Sequence, residues 1–247
     1  MSDALIMTGR SLRLSRRNID ALITSMALPV MILLIFVYFL GGAIDTGTQY
    51  VTYVVPGVLL LCAGFGSATT AMAVTEDLRG GIIDRFRSLD IGGAPILAGH
   101  VLASAARNLL ATALVLCLAL AIGFRPSGTL PGRLAAIAVL LAYILALSWF
   151  SAAIGLFVRS PEAAGGYTFF VSFLPYPSSA FVPTDTMPGW LQGFTAHQPV
   201  TKVIEALRGL LLGQPVGATA WVALAWCAGI LVVSVGASGF LFRRRTS

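Results

Sequence analysis

Charge is scarce in this chain. Only 11% of its 247 residues are Asp, Glu, Lys or Arg, where a soluble domain carries about 25%. That deficit excludes an ordinary water-soluble domain. Lysine is nearly absent: Lys202 is the single one, preceded by Thr201 and set in a loop. A phosphate-binding loop needs glycines to cradle the phosphates and a lysine to reach the terminal ones, so no nucleotide-hydrolysing site is expected here. Only two histidines occur, His100 and His197, and neither has neighbours at metal-ligand spacing. Cys62, Cys117 and Cys227 lie in apolar runs without paired spacing and read as small core residues. No signal peptide is expected, because the first apolar run begins near Ala21 and is too long for an h-region.

Hydrocarbon takes the place of charge. Hydrophobic residues make up 57% of the chain, and mean hydropathy is +0.88. A transmembrane helix needs roughly 20 mainly apolar residues, and several such runs are available. In lipid every backbone amide must be paired internally, which leaves helices or closed barrels. The runs are long and do not alternate as barrel strands would. An all-α integral membrane protein of one domain, 1–247, follows, with six spans at about 21–42, 54–75, 101–124, 134–158, 163–175 and 218–242.

Arginine counting orients these spans. With the amino terminus in the cytoplasm, twelve basic residues fall inside: Arg10, Arg13, Arg16, Arg17, Arg79, Arg85, Arg87, Arg107, Arg159, Arg243, Arg244 and Arg245. Four fall outside: Arg125, Arg133, Lys202 and Arg208. The positive charge is scattered at span ends, which is a topology signal and not a nucleic-acid patch. Both termini are expected in the cytoplasm.

Local signals fit this frame. In "SPEAAGG", Ser160 reads as N-cap and Pro161 as the first helical residue. Arg10, Arg13 and Arg17 recur at helical spacing, so residues 1–20 suggest an interfacial amphipathic helix, or a tail that only sets topology. The outer loop, 176–216, is proline-rich yet apolar. Within it Val203, Ile204, Leu207, Leu210 and Leu211 oppose Lys202, Glu205 and Arg208, the pattern of a short two-faced helix. "WLQGF" before it reads as another short turn, and Trp190 suits the outer interface. Two re-entrant half-helices, or a plain folded extracellular loop, fit this stretch.

The span centres show little polar chemistry. Arg107 is expected near a cytoplasmic helix end, within reach of water. The lack of a central ionisable residue weighs against a proton-coupled carrier, although sodium sites can use backbone carbonyls. Ser67 invites comparison with an intramembrane protease, which would need a histidine base within hydrogen-bond reach. A packing seam of Ala63, Ser67 and Ala71 is the better account.

One charged island interrupts the hydrocarbon. "EDLRGGIIDRFRSLDIGG" (76–93) holds seven charges between Glu76 and Asp90. Ile82, Ile83, Phe86 and Leu89 fall on one side of a short helix, and Asp84, Arg85, Arg87 and Ser88 on the other. Gly80–Gly81 and Gly92–Gly93 offset it from the spans. It serves either as a surface helix capping the bundle or as a docking helix for a cytoplasmic partner.

That island, continued as "APILAGHVLA", resembles the cytoplasmic segment of ABC-2 type transporter permeases, in particular the daunorubicin-resistance-like drug exporters of actinobacteria. "FVPTDTMPGWLQGFTAHQPVTKVIEALRGLLLG" is similar to the family's outer loop, and the spans and terminal arginines match as well. One departure is Asp90, where the family commonly has proline; proline would end the short helix at Leu89. The resemblance implies the membrane subunit of an ATP-driven exporter of a hydrophobic drug, antibiotic or lipid-like substrate in the bacterial plasma membrane. Polysaccharide or glycolipid export lies within the same superfamily, and an ion-coupled secondary transporter is the alternative from outside it. It implies a homodimer served by two ATP-binding subunits, which would carry the ATP and Mg; this chain itself would bind no cofactor. Residues 76–100 would form the coupling segment, with Glu76, Asp77, Arg79, Gly80, Gly81, Asp84, Arg85, Phe86, Arg87, Ser88, Leu89 and Asp90 meeting the ATPase. Phe65, Thr69, Phe169, Phe170 and Phe173 would line the substrate pathway. Trp190, Glu205 and Arg208 would belong to an extracellular lid.

Overall fold

In a computed structural model of the chain, residues 8–9, 19–81 and 93–246 are described, apart from the side chains of 19–25, 245 and 246. Helices joined by turns and loops make up the described residues, with no strand among them. Helix α1 spans Ile19–Ile35 and runs on as a π-turn, Phe36–Leu40. Helix α2 spans Tyr50–Arg79, α3 Gly93–Ala121 and α4 Leu130–Phe157. The shorter helices are α5 (Pro161–Phe173), α6 (Gly189–His197) and α7 (Pro199–Leu212); α8 (Thr219–Thr246) closes the chain.

Four helices, α2, α3, α4 and α8, are long and apolar enough to cross a membrane. Residues 26–40, within α1 and its π-turn, are apolar as well. Helix α5 has 13 residues, about 20 Å at 1.5 Å per residue, against a hydrocarbon core of about 30 Å.

The bundle is built around α2. Of the most apolar stretch of α2, 78% is buried, against 17% for α8, so α2 is the axis and α8 the outer wall. Such burial of a backbone on all sides needs close approaches, and small residues supply them. A Cβ on Gly57 would stand 2.6 Å from Cβ of Ala180, and one on Gly155 would stand 2.5 Å from the Ala71 carbonyl oxygen. Helix α4 therefore presses directly onto the backbone of α2. Thr75 reinforces this crossing, donating its hydroxyl to both Ala71 O and Gly155 O at 2.9 Å.

The two ends of the bundle differ. One end carries Arg79, Arg159, Arg243 and Arg244 and is termed the basic end; the other carries 174–218 and is termed the loop end. At the loop end the 122–129 turn grips α7. Gly128 N–H donates to Leu211 O and Ser127 Oγ to Leu212 O, both at 2.8 Å, which satisfies carbonyls that a helix C-terminus leaves open. Gly213, at φ 68°, provides the left-handed exit from α7.

Sequence expectations meet the structure unevenly. Ser160 is indeed the N-cap of α5, accepting from Ala163 N–H at 3.2 Å, with Pro161 next. Helix α7 buries Val203, Ile204 and Leu207 as its two-faced pattern requires, and α6 covers "WLQGF". Helix α2 outruns the expected 54–75 at both ends, stopping only where Gly80 caps it and Gly81 turns with φ 65°.

Candidate functional site

The basic end receives the two feet of the charged island. Residues 82–92 lie outside the described residues, and with them the expected docking positions Asp84, Arg85, Phe86, Arg87, Ser88, Leu89 and Asp90; so do residues 10–18 of the amino-terminal segment. Both feet are described. On the departing foot, Glu76, Arg79, Gly80 and Gly81 are exposed, whereas Asp77 turns inward. On the returning foot, Gly93 sits against the ring of Phe242 from α8, in space that any Cβ would fill. A small apolar cluster of Val74, Ile96, Leu97, Val101, Ala152, Leu156 and Phe242 binds α2, α3, α4 and α8 together at this end.

Beside that cluster Asp77 meets His100. The Oδ2 and Nε2 atoms are 3.0 Å apart, and both side chains are at least nine-tenths buried. From His100 a polar row runs along α3 at intervals of four: His100, Ser104, Asn108 and Thr112, each no more than 7% exposed. Four-residue spacing keeps all of them on one helix face. Ser104 and Ser148 of α4 share a hydrogen bond at 3.0 Å. Asn108 Nδ2 donates to Ser67 Oγ at 3.4 Å and to Ser104 Oγ at 3.5 Å. Its Oδ1 occupies the notch that Gly66 leaves open.

Ser67 therefore belongs to a packing network. Its hydroxyl donates to Ala63 O at 2.6 Å, and Ala63, Ser67 and Ala71 are all buried on the α2 seam. His100 is committed to Asp77 and His197 to the carbonyl of Gly193 in α6, so no base–nucleophile pair forms with Ser67.

Arg107, expected near a helix end, lies midway along the 29 residues of α3 and is only partly exposed. Its Nη2 donates to Thr69 Oγ1 and Thr70 Oγ1 at 3.3 Å. A cation is thus placed against Thr69, one of the expected pathway residues. The view that the spans hold little polar chemistry is corrected by the same row.

The expected pathway aromatics divide into two settings. Phe65 is half-buried on α2. Phe169, Phe170 and Phe173 stand exposed on the face of α5 opposite Ala164, Thr168 and Ser172, which are buried. Ser172 meets Gly64 of α2 there. Phe169 and Phe173, tilted at 52° to each other, continue into a row of stacked rings. Centroid spacings are 4.6 Å from Phe169 to Phe173, 5.1 Å to Tyr176, 5.2 Å on to Phe181 and 4.1 Å to Phe36 of the π-turn.

At the loop end Arg208 holds α7 in place. Its guanidinium lies 3.7 Å above the Tyr53 ring and donates to the carbonyls of Tyr53 and Ser179. Burial lowers its pKa below the ordinary value, against the opposing pull of Tyr53 and Glu205. Glu205 pairs with Lys202 at 3.1 Å. Both Glu205 and Arg208 border a groove of about 210 Å³ that reaches Gln214, Pro215 and Thr219. Trp190, the other expected lid residue, is 82% exposed on α6.

The sequence that builds these long apolar helices, the island between α2 and α3 and the two short helices at the opposite end has a match. Residues 3–212 fit the family model described as ABC-2 type transporter. The chain belongs to the ABC-2 type transporter family. It is 32% identical to the daunorubicin resistance ABC transporter permease protein DrrB1 of Streptomyces coeruleorubidus, over 92% of this chain and 81% of the relative. It is 28% identical to the probable doxorubicin resistance ABC transporter permease protein DrrC of Mycobacterium tuberculosis, over all of this chain and 90% of the relative. The permeases of this family are the transport component of ABC transporters.

The sequence did carry a signal for the row that was missed. His100, Ser104, Asn108 and Thr112 repeat at four-residue spacing inside an apolar run, and hydropathy averaging conceals them.

Proposed function

We propose that this chain is the membrane-spanning subunit of an exporter that moves a hydrophobic drug, antibiotic or lipid-like molecule outward across the bacterial plasma membrane. The observation that carries this reading is the family membership, joined to relatives named for daunorubicin and doxorubicin resistance. A separate ATP-binding subunit supplies ATP and Mg, and two copies serve a homodimer of this chain. Six spans would keep both termini in the cytoplasm, with α1 and its π-turn as the first and α5, too short to cross by itself, completed by the turns of 174–181 as the fifth. The concentration of arginine at the basic end supports that orientation.

In this reading the 82–92 segment seats in the ATPase, with Arg85 and Arg87 presented to it and Glu76 and Arg79 flanking. Closure of the ATPase displaces the segment and shifts the bundle between two packings. The faces of α2 and α5 that carry Phe65, Thr69, Phe169, Phe170 and Phe173 line the route between two copies. Helices α6 and α7 form the outer lid, dipping into the outer leaflet.

The test is co-purification with a P-loop ATPase and stimulation of that complex by daunorubicin. The double charge reversal Arg85→Glu/Arg87→Glu should release the ATPase or abolish stimulation. A variant that co-purifies and is stimulated as wild type overturns the docking assignment. Transport that stops when ion gradients are collapsed at constant ATP points instead to an ion-coupled carrier.

A further inference from the structure

The island's two feet are joined inside the protein. Asp77 lies two residues before the last residue of α2, and His100 lies two turns into α3. Their 3.0 Å contact links the two helices close to the island, buried beside the apolar cluster of the basic end. In a buried setting a hydrogen bond is electrostatically stronger than in water. The returning foot is further held by Phe242 over Gly93. A push on residues 82–92 therefore cannot move α2 without α3.

The link continues inward. One helical turn beyond His100, Ser104 binds Ser148 of α4. Another turn on, Asn108 reaches Ser67 of α2, next to the turn that carries Thr69. The residues adjoin in an unbroken sequence from the island's feet to the middle of the bundle.

We propose that Asp77 and His100 are a positioning pair. They clasp α2 to α3, so that displacement of the 82–92 segment is delivered as one rigid movement to the Ser104–Ser148 and Asn108–Ser67 contacts. This inference rests on the reading that the segment is where an ATPase docks. Without the clasp, the ATPase still binds and the substrate still binds, but neither senses the other.

The experiment uses the chain co-purified with its ATPase in phosphatidylethanolamine–phosphatidylglycerol vesicles, with daunorubicin as the probe. ATP hydrolysis is followed against daunorubicin concentration, and drug binding is measured separately. His100→Ala should assemble with the ATPase and bind daunorubicin as wild type does. Its maximal stimulation above the basal rate should fall about tenfold, within the usual range of coupling between sites. The half-saturating drug concentration should not move. His100→Gln, which keeps an N–H donor at the tip of the side chain, should recover most of the stimulation.

Normal stimulation in His100→Ala overturns the clasp. So does a His100→Gln variant as defective as His100→Ala, or loss of ATPase assembly in every variant, which would make the pair a folding element only. A wild-type chain that assembles with no ATPase removes the exporter reading itself, and the clasp falls with it.

Discussion

Arg208 and Tyr53 are joined twice: the guanidinium lies 3.7 Å above the ring and also donates to the Tyr53 carbonyl, at 3.2 and 3.3 Å. A third bond reaches Ser179 O. One side chain thus fastens α7 to the first turn of α2 and to the 174–183 turn.

Arg208→Ala should destabilise the protein by about 2–3 kcal/mol, the scale of lost charged hydrogen bonds plus a cation–π contact. Arg208→Lys should recover only part of this, because an ammonium cannot present the planar fork. Thermal unfolding of detergent-purified protein checks both. An Arg208→Ala variant as stable as wild type would show that α7 is held by its apolar face alone.

Gly66 and Asn108 make a second test. A methyl at Gly66 would occupy the position of Asn108 Oδ1, so Gly66→Ala should push the Asn108 amide off Ser67 and Ser104 and lower stability by about 1–3 kcal/mol, the usual cost of overpacking. The double variant Gly66→Ala/Asn108→Ala should regain part of the loss. Additive losses in the pair would refute the clash, since contacting residues are expected to couple.

The glycines of α4 and α8 should behave oppositely. Gly155→Ala sets a methyl 2.5 Å from the Ala71 carbonyl oxygen, a backbone atom that no rotamer change can move, whereas a Cβ on Gly229 meets nothing within 4 Å. Gly155→Ala should lower the unfolding temperature. Gly229→Ala should leave it unchanged or raise it, since Ala favours a helix over Gly by about 1 kcal/mol. Equal effects at the two sites would contradict the close α2–α4 crossing.

How far the sequence could be read depended on whether the deciding interaction was local. The start of α5 at Ser160–Pro161 and the two-faced pattern of α7 are short-range, and both hold. The family could be read from the order of the island and the outer loop. Arg107 was misplaced because the apolar run beginning at Val101 hid two further helical turns, Gly93 to His100, which α3 adds on the basic side. The Asp77–His100 contact bridges 23 positions. Either residue alone reads as a polar group at a membrane boundary, and only packing of α2 on α3 turns them toward each other. The burial of α2 depended likewise on Gly57, Gly64 and Gly155 meeting distant backbones.

The seat of Phe242 on Gly93 bears on how the protein can be handled. A tag or reporter joined after Ser247 leaves that ring where it is. A truncation that removes Phe242 bares the foot of the segment proposed to meet the ATPase, at a site some 150 residues away in sequence. Such a truncation should score as a defect in energy coupling although it touches neither the island nor the drug route. Deletion series intended to probe the carboxyl terminus would thus report on the opposite half of the chain.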